Sequence, residues 1–201
     1  MSYIVTVVVP PVPADLSDPW QFPERLRAAG GDEGPVAPVL RTLHDTITSV
    51  YPCLSSYADS DDGIDDCPWA DGPLIDNFGT QMGTIGLTGG DKLKRVASFV
   101  RSCASTLGLT VFDEQEGKIG KPMLPSPRAT YYVVIRGIAE GAVKEEVIRA
   151  LMSALDFNEQ QSHDIFNVKL AYVKKGIAYL DAIRYQEAIS NAGGLSAFGP
   201  E

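Results

Sequence analysis

Hydrophobic positions follow two patterns along the chain, and each pattern predicts one kind of secondary structure. Apolar residues spaced three or four apart predict amphipathic helices, and short runs rich in valine and isoleucine predict strands. The predicted helices cover residues 36–51, 91–107, 143–155, a segment that Asn158 caps, and 179–192, with a short one at 23–29. The predicted strands cover residues 3–9, 80–88, 109–113, 131–138, 170–173 and 195–198.

Turn and capping residues set the expected ends of several elements. Asp91 is a predicted helix N-cap, Gly108 is a predicted helix stop, and residues 174–176 are a predicted turn. One more strand is expected, either within residues 10–35 or near Ile119.

The order of these elements divides the chain into two domains. Residues 1–122 alternate strands with helices, which is typical of a small open sandwich of the ferredoxin-like kind. Residues 130–201 follow the order βααβαβ. Three prolines, at 122, 125 and 127, predict a stiff linker over residues 123–129. The predicted fold class is therefore α/β (α+β), with two small open sandwiches.

Residues 10–35 are rich in proline, glycine and aspartate and predict a long loop. A loop of that length in a compact domain is either a functional surface or an insertion. Trp20 and Phe22 are expected to fold back on the core of their domain. His44 lies beside the apolar stripe of the helix at 36–51 and is expected to be a partly exposed structural histidine.

Charge is distributed unevenly and centres on one segment. Residues 1–122 carry 17 acidic and 9 basic side chains, a net charge of -8, whereas residues 123–201 carry a net charge of -1. Residues 59–73 hold six aspartates, no basic residue and Trp69. Carboxylates steer basic partners, and an aromatic anchor supplies a hot spot. The predicted partner-binding residues are Asp59, Asp61, Asp62, Asp65, Asp66, Trp69 and Asp71.

Two other interpretations of this segment stand beside the binding hypothesis. In the first, Trp69 is not a surface anchor but pins the segment to its own domain. The acidity is also compatible with the ordinary surface charge of a soluble protein. A field of this sign repels nucleic acid and membrane surfaces, so neither is expected as a partner.

The acidic segment does not match a calcium-binding loop. An EF-hand needs oxygen ligands at positions 1, 3 and 5 and glycine at 6. A register that starts at Asp59 puts Gly63 at position 5, and one that starts at residue 58 loses the first ligand. The glycine-rich residues 86–92 lack the ending of a phosphate-binding P-loop.

Catalytic and metal-binding patterns are missing elsewhere in the sequence. The three cysteines form no CxxC pair, and the two histidines are far apart. No catalytic residue, metal or cofactor is therefore predicted, and the protein is not expected to be an enzyme. The absence of a signal peptide and of a long apolar run predicts a soluble, cytoplasmic protein.

The order of helices and strands in the C-terminal part resembles the C-terminal domain of the ribosomal stalk protein and the related adaptor of the Clp protease. In this order residues 173–176 precede the last helix and residues 188–193 close it. The resemblance covers roughly residues 130–198 and implies a βααβαβ fold. The adaptor has an Asn-Asp-Asp stretch where this chain has residues 137–141, so degron binding is not carried over. Few basic residues lie on the first two helices, so factor recruitment is not carried over either.

The N-terminal part resembles a group of uncharacterised bacterial proteins. They share a Tyr-Pro, an acidic loop, a Pro-Trp-Ala and a Gly-Leu-x-Val-[Tyr/Phe]-Asp, here residues 51–52, 59–66, 68–70 and 108–113. Several of those proteins look like genomic neighbours of secreted toxins, and this resemblance implies an immunity role. The predicted function is an immunity protein that binds and neutralises a cognate toxin or effector with a basic surface. The alternatives are a non-catalytic adaptor that acts through its C-terminal domain, and an enzyme of unrecognised type.

Overall fold

A computed structural model describes residues 3–9, 12–13, 16–57, 62–123, 129–155, 157–168 and 170–201. The chain forms two compact units, residues 1–124 and 125–201, called here the N-terminal and C-terminal units. Each described unit contains a small open antiparallel sheet with helices, so the predicted α+β class is confirmed. Residues 124–128 of the predicted linker lie outside the described residues.

The helices and strands of the N-terminal unit follow the predicted periods closely. Their bounds are β1 Tyr3–Val8, α1 Phe22–Ala28, α2 Pro38–Thr48, β2 Met82–Leu87, α3 Leu93–Thr106, β3 Thr110–Asp113 and β4 Lys118–Gly120. Single 3-10 turns occur at Pro19–Gln21, Leu54–Ser56, Asp62–Asp66 and Leu74–Asn77. The extra strand expected either in residues 10–35 or near Ile119 is β4, which contains Ile119.

The described strands of this unit pair antiparallel in the order β2-β1-β3-β4. Val5 lies opposite Ile85 on β2 and opposite Asp113 on β3. The element order β-α-α-β-α-β-β differs from the β-α-β-β-α-β order of ferredoxin-like folds. The difference arises because the β3–β4 hairpin follows the last helix instead of lying between the helices.

Strand β1 is buried on both of its faces. On one face the helix α3 contacts β1 and β3. On the other face, Val8, Met82 and Phe112 form a cluster against which Trp20, Phe22 and Leu26 pack. The rings of Trp20 and Phe112 meet edge to face with centroids 5.9 Å apart. The described part of the long loop thus covers the second face of the sheet, and the prediction that Trp20 and Phe22 fold back on the core is confirmed.

The sequence predicted the C-terminal end of α3 correctly but not its N-terminal end. Gly108 has φ +80°, which suits a glycine after the last turn, so the predicted stop is confirmed. The predicted N-cap at Asp91 is wrong, because the cap position is Lys92 and its side chain makes no capping hydrogen bond. Residues 90–92 form a turn, which moves the helix start two residues beyond Asp91.

The C-terminal unit has the predicted order βααβαβ. Its elements are β5 Tyr131–Ile138, α4 Lys144–Leu155, α5 Glu159–Asp164, β6 Ala171–Ile177, α6 Tyr179–Asn191 and β7 Gly194–Pro200. The described strands form a sheet in the order β6-β5-β7, with both pairings antiparallel. The core lies between one sheet face and the helices, and its fully buried members are Val133, Ile135, Val147, Leu151, Leu155, Ala182 and Ile189.

Two predicted details of this unit have different outcomes. Asn158 caps α5 as predicted: its Oδ1 accepts from the Gln161 N–H at 2.8 Å, and the Gln161 side chain accepts from the Asn158 N–H at 3.1 Å. The turn predicted at residues 174–176 is wrong, because β6 continues to Ile177, which pairs with Tyr131. Gly176 takes φ +67° there, and its N–H donates to the Glu201 carboxylate at 2.9 Å. No helix among the described residues is long and apolar enough to cross a membrane.

Candidate functional site

The acidic segment is fixed to the N-terminal unit by a buried tryptophan. Trp69 is 1% exposed, and its indole Nε1 donates to the carbonyl oxygens of Tyr51 at 2.9 Å and Pro52 at 3.2 Å. Its ring also meets the Tyr51 ring edge to face at 6.2 Å. Trp69 is therefore not available as a surface anchor for a partner. Of the two roles considered for it, the structure supports the one in which Trp69 pins the segment to its own domain.

The residues around Trp69 also cover an edge of the sheet. The Ala70 N–H donates to the Gly86 carbonyl at 2.9 Å, and the Thr88 N–H donates to the Pro68 carbonyl at 2.8 Å. These bonds run along β2, which is the outer strand of the described sheet. An edge strand left open pairs readily with other chains, so this stretch both protects the edge and positions Asp65 and Asp66, which directly precede it.

The aspartates that the structure describes lie on the surface of this fixed segment. Asp65, Asp66 and Asp71 are all exposed. Asp66 pairs with Lys92 at 2.7 Å, with the two side chains 75% and 50% exposed. Asp71 Oδ1 accepts from the Asn77 side chain at 3.0 Å. Such exposed pairs contribute little to stability, so the carboxylates remain available to a charged partner.

The remaining predicted acidic residues are Asp59, Asp61 and Asp62. Asp59 and Asp61 lie outside the described residues, and Asp62 begins the 3-10 turn that ends at Asp66. Within that turn Ile64 is 36% exposed and supplies an apolar side chain among the acids. The described site therefore combines exposed carboxylates with one partly exposed isoleucine.

A shallow groove runs beside the segment. Asp65, Asp66 and Pro68 line one side, and the loop after β2 lines the other with Thr88, Gly89, Gly90, Asp91 and Lys92. Three carboxylates and one ammonium group thus face the same groove. Such a surface attracts cationic side chains, but within the described ranges no group of three or more His, Cys, Asp or Glu residues is arranged to hold a metal ion.

Comparison with known proteins gives this site no precedent. The chain matches no family model, no curated protein and no solved structure. The function must therefore be inferred from the residues themselves.

Sequence reasoning missed a buried polar cluster in the same unit. The Tyr3 hydroxyl donates to Asp113 Oδ2 at 2.6 Å, and Arg101 Nη1 donates to the same carboxylate and, at 3.1 Å, to the Tyr3 hydroxyl oxygen. The other carboxylate oxygen accepts from the Glu116 N–H at 3.0 Å. Asp113 is the final residue of the Gly-Leu-x-Val-Phe-Asp motif, which is the one signal in the sequence that marked it.

The environment of this cluster shifts two pKa values. Burial, together with the hydrogen bond to Asp113, raises the pKa of Tyr3 to about 12. Burial alone would raise the pKa of Asp113, but the hydrogen bonds from Tyr3, the Glu116 backbone and Arg101 outweigh it and hold that pKa below its ordinary value. The neutral tyrosine and the charged carboxylate are both favoured, which is the pattern of a structural cluster that ties β1, α3 and β3 together.

The C-terminal unit presents a second surface of a different character. Large apolar side chains are 48–58% exposed before and along β6 and on β7, at Val168, Leu170, Tyr172 and Leu195. The Tyr172 ring meets the Tyr132 ring edge to face at 5.5 Å, and the Lys175 ammonium lies 3.7 Å from its centroid. This apolar surface suits a partner that buries hydrophobic area.

Proposed function

We propose that the protein is an immunity protein that binds a cognate bacterial toxin or effector through its acidic segment and neutralises it by blocking. The observation that carries the proposal is the placement of exposed carboxylates, at Asp65, Asp66 and Asp71, on a segment that Trp69 fixes to the domain. A fixed segment loses little conformational entropy when it binds, so more of the interaction energy appears as affinity.

Electrostatic complementarity gives this interaction its specificity. The acidic residues outnumber the basic ones by 17 to 9 in residues 1–122, and this field accelerates encounter with a basic protein surface. A toxin that acts on nucleic acid or on another anionic substrate carries such a basic surface, and the carboxylates of the groove compete for it. Ile64, rather than Trp69, supplies the apolar contact at the centre of the segment.

The experiment co-expresses the tagged protein with the product of each neighbouring reading frame and measures complex formation at low and high salt. The test variant is Asp65→Lys, Asp66→Lys, Asp71→Lys. We expect the wild type to bind a basic toxin domain, the complex to weaken as salt rises, and the variant to lose both binding and protection of cells that produce the toxin.

A matched variant separates the acidic segment from total charge. Glu145→Lys, Glu146→Lys, Glu159→Lys reverses three exposed acids on the C-terminal unit and changes the net charge by the same amount. It should keep binding and protection. If the segment variant also keeps both, the acidic segment is not the binding site and the proposal fails in this form.

A second candidate function is a non-catalytic adaptor that acts through the C-terminal unit. The exposed apolar side chains around β6 and β7 favour it, because a partner that covers Tyr172 and Leu195 removes large apolar side chains from water. Tyr172→Ser with Leu195→Ser should abolish capture of an adaptor partner and leave toxin binding intact. The reverse pattern, with loss only in the acidic variant, supports the immunity function.

A further inference from the structure

Two cysteines lie close together at the acidic segment. Cys53 precedes the segment, and Cys67 lies within it, after five of its six aspartates. The Cys67 thiol donates to the Pro52 carbonyl oxygen at 3.8 Å, and that oxygen belongs to the peptide bond that leads into Cys53. Standard backbone dimensions therefore place the Cys67 sulfur within about 7 Å of the Cys53 Cα. A disulfide needs the two Cα atoms about 4.4–6.8 Å apart and the two sulfur atoms in bonding contact, so its formation requires the Cys67 sulfur to move from the Pro52 carbonyl toward the Cys53 sulfur.

The two thiols have different environments. The Cys53 sulfur is half-buried and accepts hydrogen bonds from the Leu74 N–H at 3.2 Å and from the Ser55 hydroxyl at 3.3 Å. Burial would raise the pKa of Cys53, but these bonds and further ones from the 54–55 backbone outweigh it and lower that pKa. The thiolate is the nucleophilic form of cysteine, so Cys53 is the thiol prepared to attack.

Cys67 is suited to the second step. It is 4% exposed. Burial raises the pKa of Cys67, the Trp69 backbone hydrogen bond opposes this, and the negative charge of Cys53 adds to the increase. Cys67 therefore keeps its proton and is shielded from direct attack by solvent oxidants, while its sulfur lies next to the backbone of Cys53.

We propose that Cys53 and Cys67 are a hydroperoxide-sensitive thiol pair whose disulfide closes a covalent ring that contains most of the aspartates of the acidic segment. The Cys53 thiolate attacks a hydroperoxide; the S–O bond forms, the O–O bond breaks, and the leaving alkoxide or hydroxide takes a proton from water. Cys53 is thereby oxidised by two electrons to a sulfenic acid. The Cys67 sulfur then attacks the Cys53 sulfur; the S–S bond forms, the S–O bond breaks, and the hydroxide leaves as water with the Cys67 proton.

The ring would enclose residues 54–66, which include five of the six aspartates of the segment. The proposal concerns a modification of the free protein and does not depend on which partner, if any, the aspartates bind. It also assigns a chemical role to two cysteines whose spacing excluded a zinc site.

The test uses the full chain and hydrogen peroxide, followed by denaturation, alkylation with iodoacetamide and digestion with trypsin. The chain has no lysine or arginine between Arg41 and Lys92, so Cys53 and Cys67 fall in one peptide, 42–92, and Cys103 falls in another, 102–118. We expect peptide 42–92 to lose two hydrogens and to resist alkylation until it is reduced with dithiothreitol. Cys103→Ala should keep this result, and Cys53→Ser should abolish it.

Further variants make the order of steps visible. In Cys67→Ser, and in Cys67→Ala as a second variant in case the first disturbs the fold, a Cys53 sulfenic acid should accumulate and react with dimedone. The wild-type result alone is decisive for the pair. If Cys53 gains oxygen while Cys67 is still fully alkylated, or if the only disulfides join separate chains, the proposed pair does not exist.

Discussion

Replacing Asp113 with asparagine tests whether the buried polar cluster holds β1, α3 and β3 together. Asp113 is fully buried, and its carboxylate accepts from Tyr3, Arg101 and the Glu116 backbone. Asparagine preserves the shape and removes the charge, so Arg101 loses its ionic partner. Removing one partner of a buried pair costs about 3–5 kcal/mol. Because the Arg101 side chain is 29% exposed and regains some water, we expect the lower end, about 3 kcal/mol.

Urea unfolding, monitored by tryptophan fluorescence, measures this loss of stability in the N-terminal unit. Both tryptophans, Trp20 and Trp69, belong to the N-terminal unit. A control is Glu116→Gln, which breaks the exposed pair of Glu116 with Lys118 and should leave the midpoint unchanged. Adding Arg101→Met to Asp113→Asn should recover part of the loss, because it removes the unpaired charge.

The pH dependence gives an independent check. The folded-state pKa of Asp113 lies below its ordinary value. The stability that the Asp113 carboxylate contributes is therefore complete at pH values above the ordinary pKa and is lost as the pH falls through the folded-state pKa. The stability difference between wild type and Asp113→Asn should therefore be constant near neutral pH and shrink in acid below pH 4. A loss under about 1 kcal/mol at pH 7, or a difference that does not change in acid, would refute the reasoning.

Three further predictions concern other single residues. Trp69→Ala should destabilise the N-terminal unit by about 3–5 kcal/mol in urea unfolding. Trp69→Phe keeps an aromatic ring but loses the indole hydrogen bonds and part of the ring volume, so it should cost less, about 1–3 kcal/mol; equal losses would contradict this. Asn158→Ala should cost the C-terminal unit about 1 kcal/mol by circular dichroism, and no change would mean that the capping box is not formed. The pKa of Tyr3 is raised to about 12, so the stability that the Tyr3 hydroxyl contributes is complete below pH 10 and is lost as the pH rises to 12. Tyr3→Phe should lack this part of the alkaline loss of stability. Identical pH–stability profiles for both proteins would contradict the prediction.

The sequence predicted the elements themselves well because helix and strand signals are local. The apolar period predicted α2, α3, α4 and α6 to within a few residues of their observed ends. Asn158 was recognised as a cap because asparagine is a favoured N-cap residue, and the contacts of the cap span only four residues. One error occurred where an end depends on a distant partner: β6 runs past residues 174–176 because β5 pairs with it at Ile177.

The sequence indicated where the acidic segment lies but not how the folded chain holds it. The run of aspartates in one segment was visible in the sequence, since charged residues in such a run stay at the surface. The role of Trp69 was not, because its environment is made by Tyr51 and Pro52, which precede it by more than fifteen residues. The same pattern of residues fits an exposed anchor and a buried pin, and only the folded chain distinguishes them.

By itself the sequence determined the α+β class, most helices and strands, and the acidic character of residues 59–73. Only the tertiary structure decided the strand order, which face of the sheet Trp20 and Phe22 cover, and the junction of Tyr3 with Asp113, which are 110 positions apart. The physical reason is that propensity and periodicity act over a few residues. Strand pairing, burial of a ring and closure of an ion pair depend instead on which distant segments meet when the core forms.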